Sequence, residues 1–282
     1  MTLNTWSIPG SNDQPLLGDT HLPDGGVEAA RGVIVLCHGF KGYKDYGFFP
    51  RLARDAAAAG LIAHRFNFSH SGMTHQIETF AKPELFEQDT WSKQVHDVKA
   101  VVEAIGRGEL AGEGLPLVLF GHSRGGVSAL LAAADLGDRV AGVVSASSPQ
   151  TGCSLDEDQK KQLRKSGRMA APSSRTGQTL YVGKAWLDEI EADPDACDPA
   201  QAAGRIEQPV LIVHGKEDDT VPWVAAHVLH DAPGSNSELQ IIDNASHTFN
   251  CPNPLPADED PPAETREMID ATVGFAVRCV AR

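Results

Sequence analysis

Apolar residues in this chain fall into runs of two kinds. Short continuous runs at Gly32–Leu36, Leu61–Phe68, Leu115–Phe120, Val140–Val144 and Pro209–Val213 have the length of strands buried on both faces. Longer stretches with helical spacing lie between and after them, at Val95–Ile105, Val127–Ala134 with Gly137 as a stop, and Glu264–Val280. That alternation predicts parallel strands covered by helices, an α/β fold. Leu3–Ile8 and Leu16–Leu22 are expected as an antiparallel edge at the front, and Leu239–Ile242 as the last strand. A chain of 282 residues suffices for one large core, so a single domain over 1–282 is expected; no internal repeat is present.

Between Val144 and Pro209 lie too many residues for one crossover helix, so 150–205 is expected as an inserted lid placed over the strand ends. Its first part runs Asp156, Glu157, Asp158, then Lys160, Lys161, Arg164 and Lys165, acids before bases, the order a helix dipole favours. A solvated helix is the preferred reading; the alternative is a basic rim that recruits a carboxylate-bearing substrate. Arg175–Val182 then suggests a small β-hairpin and Lys184–Ile190 a short helix carrying Trp186.

The chemistry sits at the ends of apolar runs. Gly121-His122-Ser123-Arg124-Gly125 follows one predicted strand and precedes one predicted helix, which puts Ser123 on a strand-to-helix turn. Reversing a strand into a helix over so few residues strains the central serine and lifts its hydroxyl above the sheet. It also brings neighbouring backbone too close for a side chain at Gly121 or Gly125. The alternative is a glycine-flanked serine in an ordinary loop. A serine hydroxyl needs a base, and His247 is best placed among the histidines, between the last strand and the C-terminal helix. His38, His122 and His214 abut turn glycines and read as structural, although His38 and His122 are near enough to border a pocket. A carboxylate must fix the imidazole tautomer, and Asp218 or Asp219, just after the Pro209–Gly215 run, should face His247.

With these three words in place the chain resembles the α/β-hydrolase superfamily, and within it the serine esterases that include bacterial cinnamoyl and feruloyl esterases and dienelactone-hydrolase-like proteins. The resemblance runs from about Gly32 to the C-terminus. In the resembling pattern H-G-x-x-D-x-x-V-P the fifth position is the acid, which implies Asp218, with Val221-Pro222 setting the register. The resemblance also implies an oxyanion site built from the backbone N–H groups of Phe40, in His38-Gly39-Phe40, and of Arg124. Such esterases use the lid to shape an acyl or aromatic pocket, which makes Tyr181, Trp186, Trp223 and Phe249 candidate walls or packing residues. Relatives that hydrolyse epoxides or carbon–halogen bonds look similar but carry an aspartate nucleophile, and dienelactone hydrolases carry a cysteine, where this chain has Ser123. Ser123 points to hydrolysis of small or medium acyl or aryl esters, hydroxycinnamate esters among them, through an acyl-enzyme. A serine peptidase or thioesterase is the first alternative, and a non-catalytic binding protein on the same scaffold the second.

Charge and composition trim the remaining possibilities. A formal charge of −14 repels phosphate backbones and anionic lipid, so neither nucleic acid nor membrane is an expected partner. The N-terminus lacks a basic start and an apolar signal core, and five cysteines without framework spacing fit a reducing compartment; a cytoplasmic location is expected. His70 and His75 do not make a zinc pair, and no phosphate-cradling or dinucleotide loop is present. Neither a metal nor another cofactor is expected.

Overall fold

The computed structural model describes residues 2–232 and 234–282. In chain order its strands and helices are β1 (Thr2–Pro9), β2 (Pro15–Leu22), β3 (Gly32–Cys37), α1 (Phe49–Ala58), β4 (Leu61–Asn67), α2 (Pro83–Glu87), α3 (Trp91–Gly106), β5 (Leu117–His122), α4 (Arg124–Leu136) and β6 (Gly142–Ala146). There follow α5 (Glu157–Ser166), β7 (Arg168–Pro172), β8 (Thr179–Gly183), α6 (Lys184–Ala192), α7 (Pro199–Arg205), β9 (Val210–Gly215), α8 (Val224–His230), β10 (Ser237–Ile242) and α9 (Ala263–Val280).

Eight strands form one sheet in the order β1-β2-β4-β3-β5-β6-β9-β10. β1 and β2 make an antiparallel hairpin, β2 joins β4 antiparallel, and every other neighbour is parallel. The central strands are buried along their whole length because both faces are covered. Period-two alternation divides their side chains between two layers. Val33, Val35, Leu117, Leu119, Val143 and Ile212 pack against α3, α4, α7 and α8. Ile34, Leu36, Val118, Phe120, Val144 and Val213 pack against α1 and α9.

The chain leaves β3 for β4 on one side and returns to β5 on the other. This reversal opens a crevice at the carboxyl ends of β3 and β5, where ligands bind in open parallel sheets.

Between β6 and β9 the chain folds outside the main sheet. A capping box of Asp156 and Gln159 starts α5, and Gly167 in the left-handed region ends it. Lys160, Lys161 and Arg164 pair with Glu157, Asp158 and Glu191, so three of the four bases on this helix are compensated, and only Lys165 takes part in no ion pair among the described residues. The hairpin expected at Arg175–Val182 is instead the pairing of β7 with β8, and Arg175 lies in their turn. The turn is fixed by Ser173 and Gln178, whose backbones bond at 2.8 Å, and by Gly177 at φ 70°. The first strand was missed because Arg168-Met169-Ala170-Ala171-Pro172 contains no β-branched residue. Leu180 of β8 joins Tyr43, Met73, Phe80 and Phe86 in a small separate apolar cluster that fastens the hairpin to the loops beneath. Near the end of the segment, α7 buries Ala202 and Ala203 in the main core.

Candidate active site

Ser123 joins β5 to α4 with φ 55° and ψ −124°, a strained conformation for a residue with a side chain. Its N–H is tied to the Ala146 carbonyl at 2.8 Å, which anchors the bend to β6. The glycines around it are sterically required. A Cβ on Gly121 would lie 2.1 Å from the Gly125 oxygen, and one on Gly125 would lie 2.3 Å from the Cys37 oxygen at the end of β3. The loop after β3 packs directly on the serine, since a Cβ on Gly39 would come within 3.1 Å of Ser123 Cβ.

Ser123 Oγ is 3.0 Å from His247 Nε2, and His247 Nδ1 is 2.8 Å from Asp218 Oδ2. A carboxylate can only accept, so Nδ1–H donates to Asp218 and Nε2 is left to accept the serine proton. Asp218 is buried at the end of β9. Its Oδ1 accepts the backbone N–H groups of Thr220 (2.9 Å) and Val221 (2.8 Å). Its Oδ2 also lies 3.1 Å from His214 Nε2, whose N–H is shared with the Val221 carbonyl. Burial opposes ionisation of this carboxyl, but hydrogen bonds from His214, His247 and Val221 outweigh it and hold it well below the usual carboxylate range. Asp219 is exposed and accepts only the Thr220 hydroxyl, while Glu217 is exposed.

Two further histidines hold the loops. His122 Nε2–H donates to the His247 carbonyl at 2.8 Å, so the residue before the serine grips the backbone of the imidazole loop. Burial, reinforced by the neighbouring His247, pushes its pKa down to about 3 and keeps it neutral. His38 accepts from Phe68 N–H through Nε2 and therefore donates through Nδ1 to the Gly39 carbonyl at 2.9 Å. Sequence reasoning read both as structural, and both bond backbone.

The N–H groups of Phe40 and Arg124 donate no hydrogen bond within the described residues. Arg124 is the first residue of α4, where helical N–H groups are unpaired and favour negative charge. Its side chain does something the sequence did not announce. The guanidinium is buried, 3.1 Å from Asp89, and stacks on Trp91 at 4.5 Å. Burial lowers the Arg124 pKa and raises that of Asp89 to about 6.

A cavity of about 170 Å³ opens at Ser123 and His247. Its other walls include Phe40, Lys41, Tyr46, Ser173, Arg175 and Thr248. Larger clefts of about 630 and 790 Å³ lie elsewhere on the described surface and contain none of the three bonded residues. The candidate walls Tyr181, Trp186, Trp223 and Phe249 are not among the lining residues. Phe249 is fully buried among Phe48 and His122. Trp186 is buried 5.7 Å from the Arg124 guanidinium. The Tyr181 ring is covered by Arg168 at 4.1 Å, and Trp223 rests on His227 at 5.2 Å. Of the missed residues, Lys41 had a signal, for it directly follows Phe40. Ser173 and Arg175 had none, because their place depends on how the hairpin docks.

Comparison with known proteins agrees with the fold. A family model for the α/β hydrolase family matches residues 34–267. An uncharacterized 31.7 kDa protein of Escherichia coli, from the traX-finO intergenic region, is 24% identical over 258 residues, covering 80% of this chain and 86% of that protein. Est1E from Butyrivibrio proteoclasticus, solved with ferulic acid bound, is 18% identical with a TM-score of 0.74, over 98% of this chain and 100% of that one. A dienelactone hydrolase from Anabaena variabilis is 16% identical with a TM-score of 0.65, over 99% of each chain. With the fold, the bend at Ser123 and the family match in agreement, this chain belongs to the α/β-hydrolase family.

Proposed function

We propose that the protein is a serine-dependent carboxylic-ester hydrolase acting on small or medium acyl or aryl esters. The observation that carries this reading is the unbroken hydrogen-bonded line from Ser123 Oγ through the His247 ring to Asp218. In this mechanism Ser123 Oγ attacks the ester carbonyl as its proton passes to His247 Nε2. The resulting imidazolium is stabilised by Asp218, and the oxyanion is met by the N–H groups of Phe40 and Arg124. His247 then protonates the departing alkoxide, leaving an acyl group on Ser123. Water, deprotonated by His247, attacks that acyl-enzyme, and the second tetrahedral adduct collapses to release the acid and restore Ser123.

Phe40, Tyr46 and Phe49 give the cavity aromatic surface that suits an acyl or aryl group. Est1E, the similar structure that holds ferulic acid, makes hydroxycinnamate esters a reasonable subset of substrates. The test is hydrolysis of 4-nitrophenyl esters together with labelling by a fluorophosphonate. Ser123→Ala is expected to lose roughly 10⁶-fold in kcat with its fold intact, and the probe to label Ser123 alone. Full activity in that variant, or labelling at another residue, overturns the assignment.

A further inference from the structure

The cavity at Ser123 carries a charge opposite to that of the molecule. The whole chain has a formal charge of −14, yet the lining of this cavity includes Lys41 and Arg175 and no aspartate or glutamate. Most basic side chains near the sheet ends are neutralised: Lys44 by Asp19 and Asp45, Arg65 by the same two carboxylates, and Arg124 by Asp89. Lys41 and Arg175 are different. Among the described residues neither takes part in an ion pair. The Lys41 ammonium reaches the Pro172 carbonyl at 2.9 Å and sits 5.4 Å over the Phe40 ring. The Arg175 guanidinium bonds the Ile77 carbonyl and touches Met73 Sδ at 3.5 Å, lying over the Tyr43 and Phe80 rings at 4.6 and 5.0 Å. Carbonyls, sulfur and ring faces orient a cation and leave its charge uncancelled.

Both groups are also held in place. Lys41 occupies the left-handed region at φ 56°, in a turn closed by Gly42 N–H on the Gly39 carbonyl. A lysine has no intrinsic preference for that conformation, so the turn holds Lys41 at a cost in backbone strain. Arg175 rides on the β7–β8 turn. Gln178 pins that turn to the loop below, accepting from Phe80 N–H at 2.8 Å and Thr79 Oγ1 at 3.0 Å and donating to the Phe80 carbonyl at 3.1 Å. Ser173 and Ser174 between them add hydroxyl donors to the same wall.

We infer that Lys41 and Arg175 form an anion subsite at the mouth of the Ser123 cavity, and that the preferred ester carries a carboxylate. This rests on the ester-hydrolase reading above. It names the substrate class that reading leaves open. A carboxylate offers two oxygens to a guanidinium and an ammonium that still have N–H groups to give. The basic residues of α5 do not serve this purpose: three are already paired, and none of the four, Lys165 included, lines the cavity.

The experiment compares matched esters. Mono-4-nitrophenyl adipate against 4-nitrophenyl hexanoate places the charge on the acyl side; 4-acetoxyphenylacetate against 4-methylphenyl acetate places it on the alcohol side. In at least one pair the charged ester is expected to have a kcat/KM about tenfold higher, a ratio that shrinks as ionic strength rises. Lys41→Gln and Arg175→Gln should each reduce that ratio several-fold, Lys41→Arg should restore it, and the distant Lys161→Met should leave it alone. Because Arg175 also tethers its turn, the salt series on the unaltered protein and Lys41→Gln serve as readouts independent of that variant's folding. A neutral ester preferred in both pairs, or a ratio that neither substitution moves, overturns the inference. Calorimetric binding of each pair to Ser123→Ala separates the two ideas. Hydrolysis of neutral esters with equal binding within pairs keeps the esterase and removes the subsite. Absence of hydrolysis with tighter binding of the charged ester does the reverse.

Discussion

Ser123, His247 and Asp218 come from three loops separated by about a hundred and by about thirty residues, and each is fixed by a different device. The serine is held by backbone strain and flanking glycines, the imidazole by the grip of His122 on its carbonyl, and the carboxylate by four hydrogen-bond donors. The acid can be tested by exchange of one atom. Asp218→Asn replaces an acceptor with a donor facing His247 and favours the wrong tautomer, so a loss on the order of 10⁴-fold in kcat is expected. Asp219→Asn, whose side chain meets only Thr220 and solvent, should stay within twofold of the parent, about the scatter of a kinetic assay. A reversed result in steady-state kinetics would move the role one position along the chain. These three residues were legible because each lies a few residues beyond an apolar run, and the strand fixes its address. The cavity walls were not, since aromatic character says only that a side chain wants burial. Phe249 satisfies that in the core and Trp186 against Arg124.

At the scale of elements, the glycines are of two physical kinds, one required by a close approach of backbone and one not. Gly125→Ala would drive a methyl group into the Cys37 and His38 carbonyls, at 2.3 and 2.4 Å, and backbone cannot swing aside as a side chain can. A loss of at least about 1–3 kcal/mol is expected in denaturant unfolding, with activity falling further as the Gly39–Phe40 loop is displaced from the serine. Gly274, exposed within α9, has nothing within 4 Å of an added Cβ. Gly274→Ala should raise stability by roughly 0.5–1 kcal/mol, because helical glycine costs backbone entropy. Periodicity disclosed the parallel strands and long helices, whose apolar residues repeat on two buried faces. It failed over β7, where only Met169 and Ala171 are even partly covered and the pairing is set by the docked turn.

For the molecule as a whole, burial of imidazoles governs its response to acid. Burial pushes His21, His38, His64 and His70 down to about 4, and His122 to about 3. Between pH 6.5 and 4 the unfolded chain therefore binds protons at these sites that the folded chain refuses, and stability falls as pH falls. Asp89 and Asp97, raised by burial to about 6 and 7, act with the opposite sign, holding protons when folded that the unfolded chain has released. Five imidazoles against two carboxyls leave a net loss on acidification, each unbalanced proton being worth about 1.4 kcal/mol per pH unit. Asp218, held low, adds to the loss below pH 4. Thermal unfolding followed from pH 7 to 4 should show a steady fall in melting temperature; a rise would mean the carboxyls dominate.

The β7–β8 hairpin supplies Arg175 and at the same time forms part of the cavity roof, while Leu180 clips it to Tyr43, Phe80 and Phe86. Levering that clip open would make room for a bulkier ester and carry the guanidinium off in the same movement. Breadth and charge selectivity thus pull against each other through one hinge, and a variant selected for larger substrates by loosening Leu180 should become indifferent to whether they are ionised.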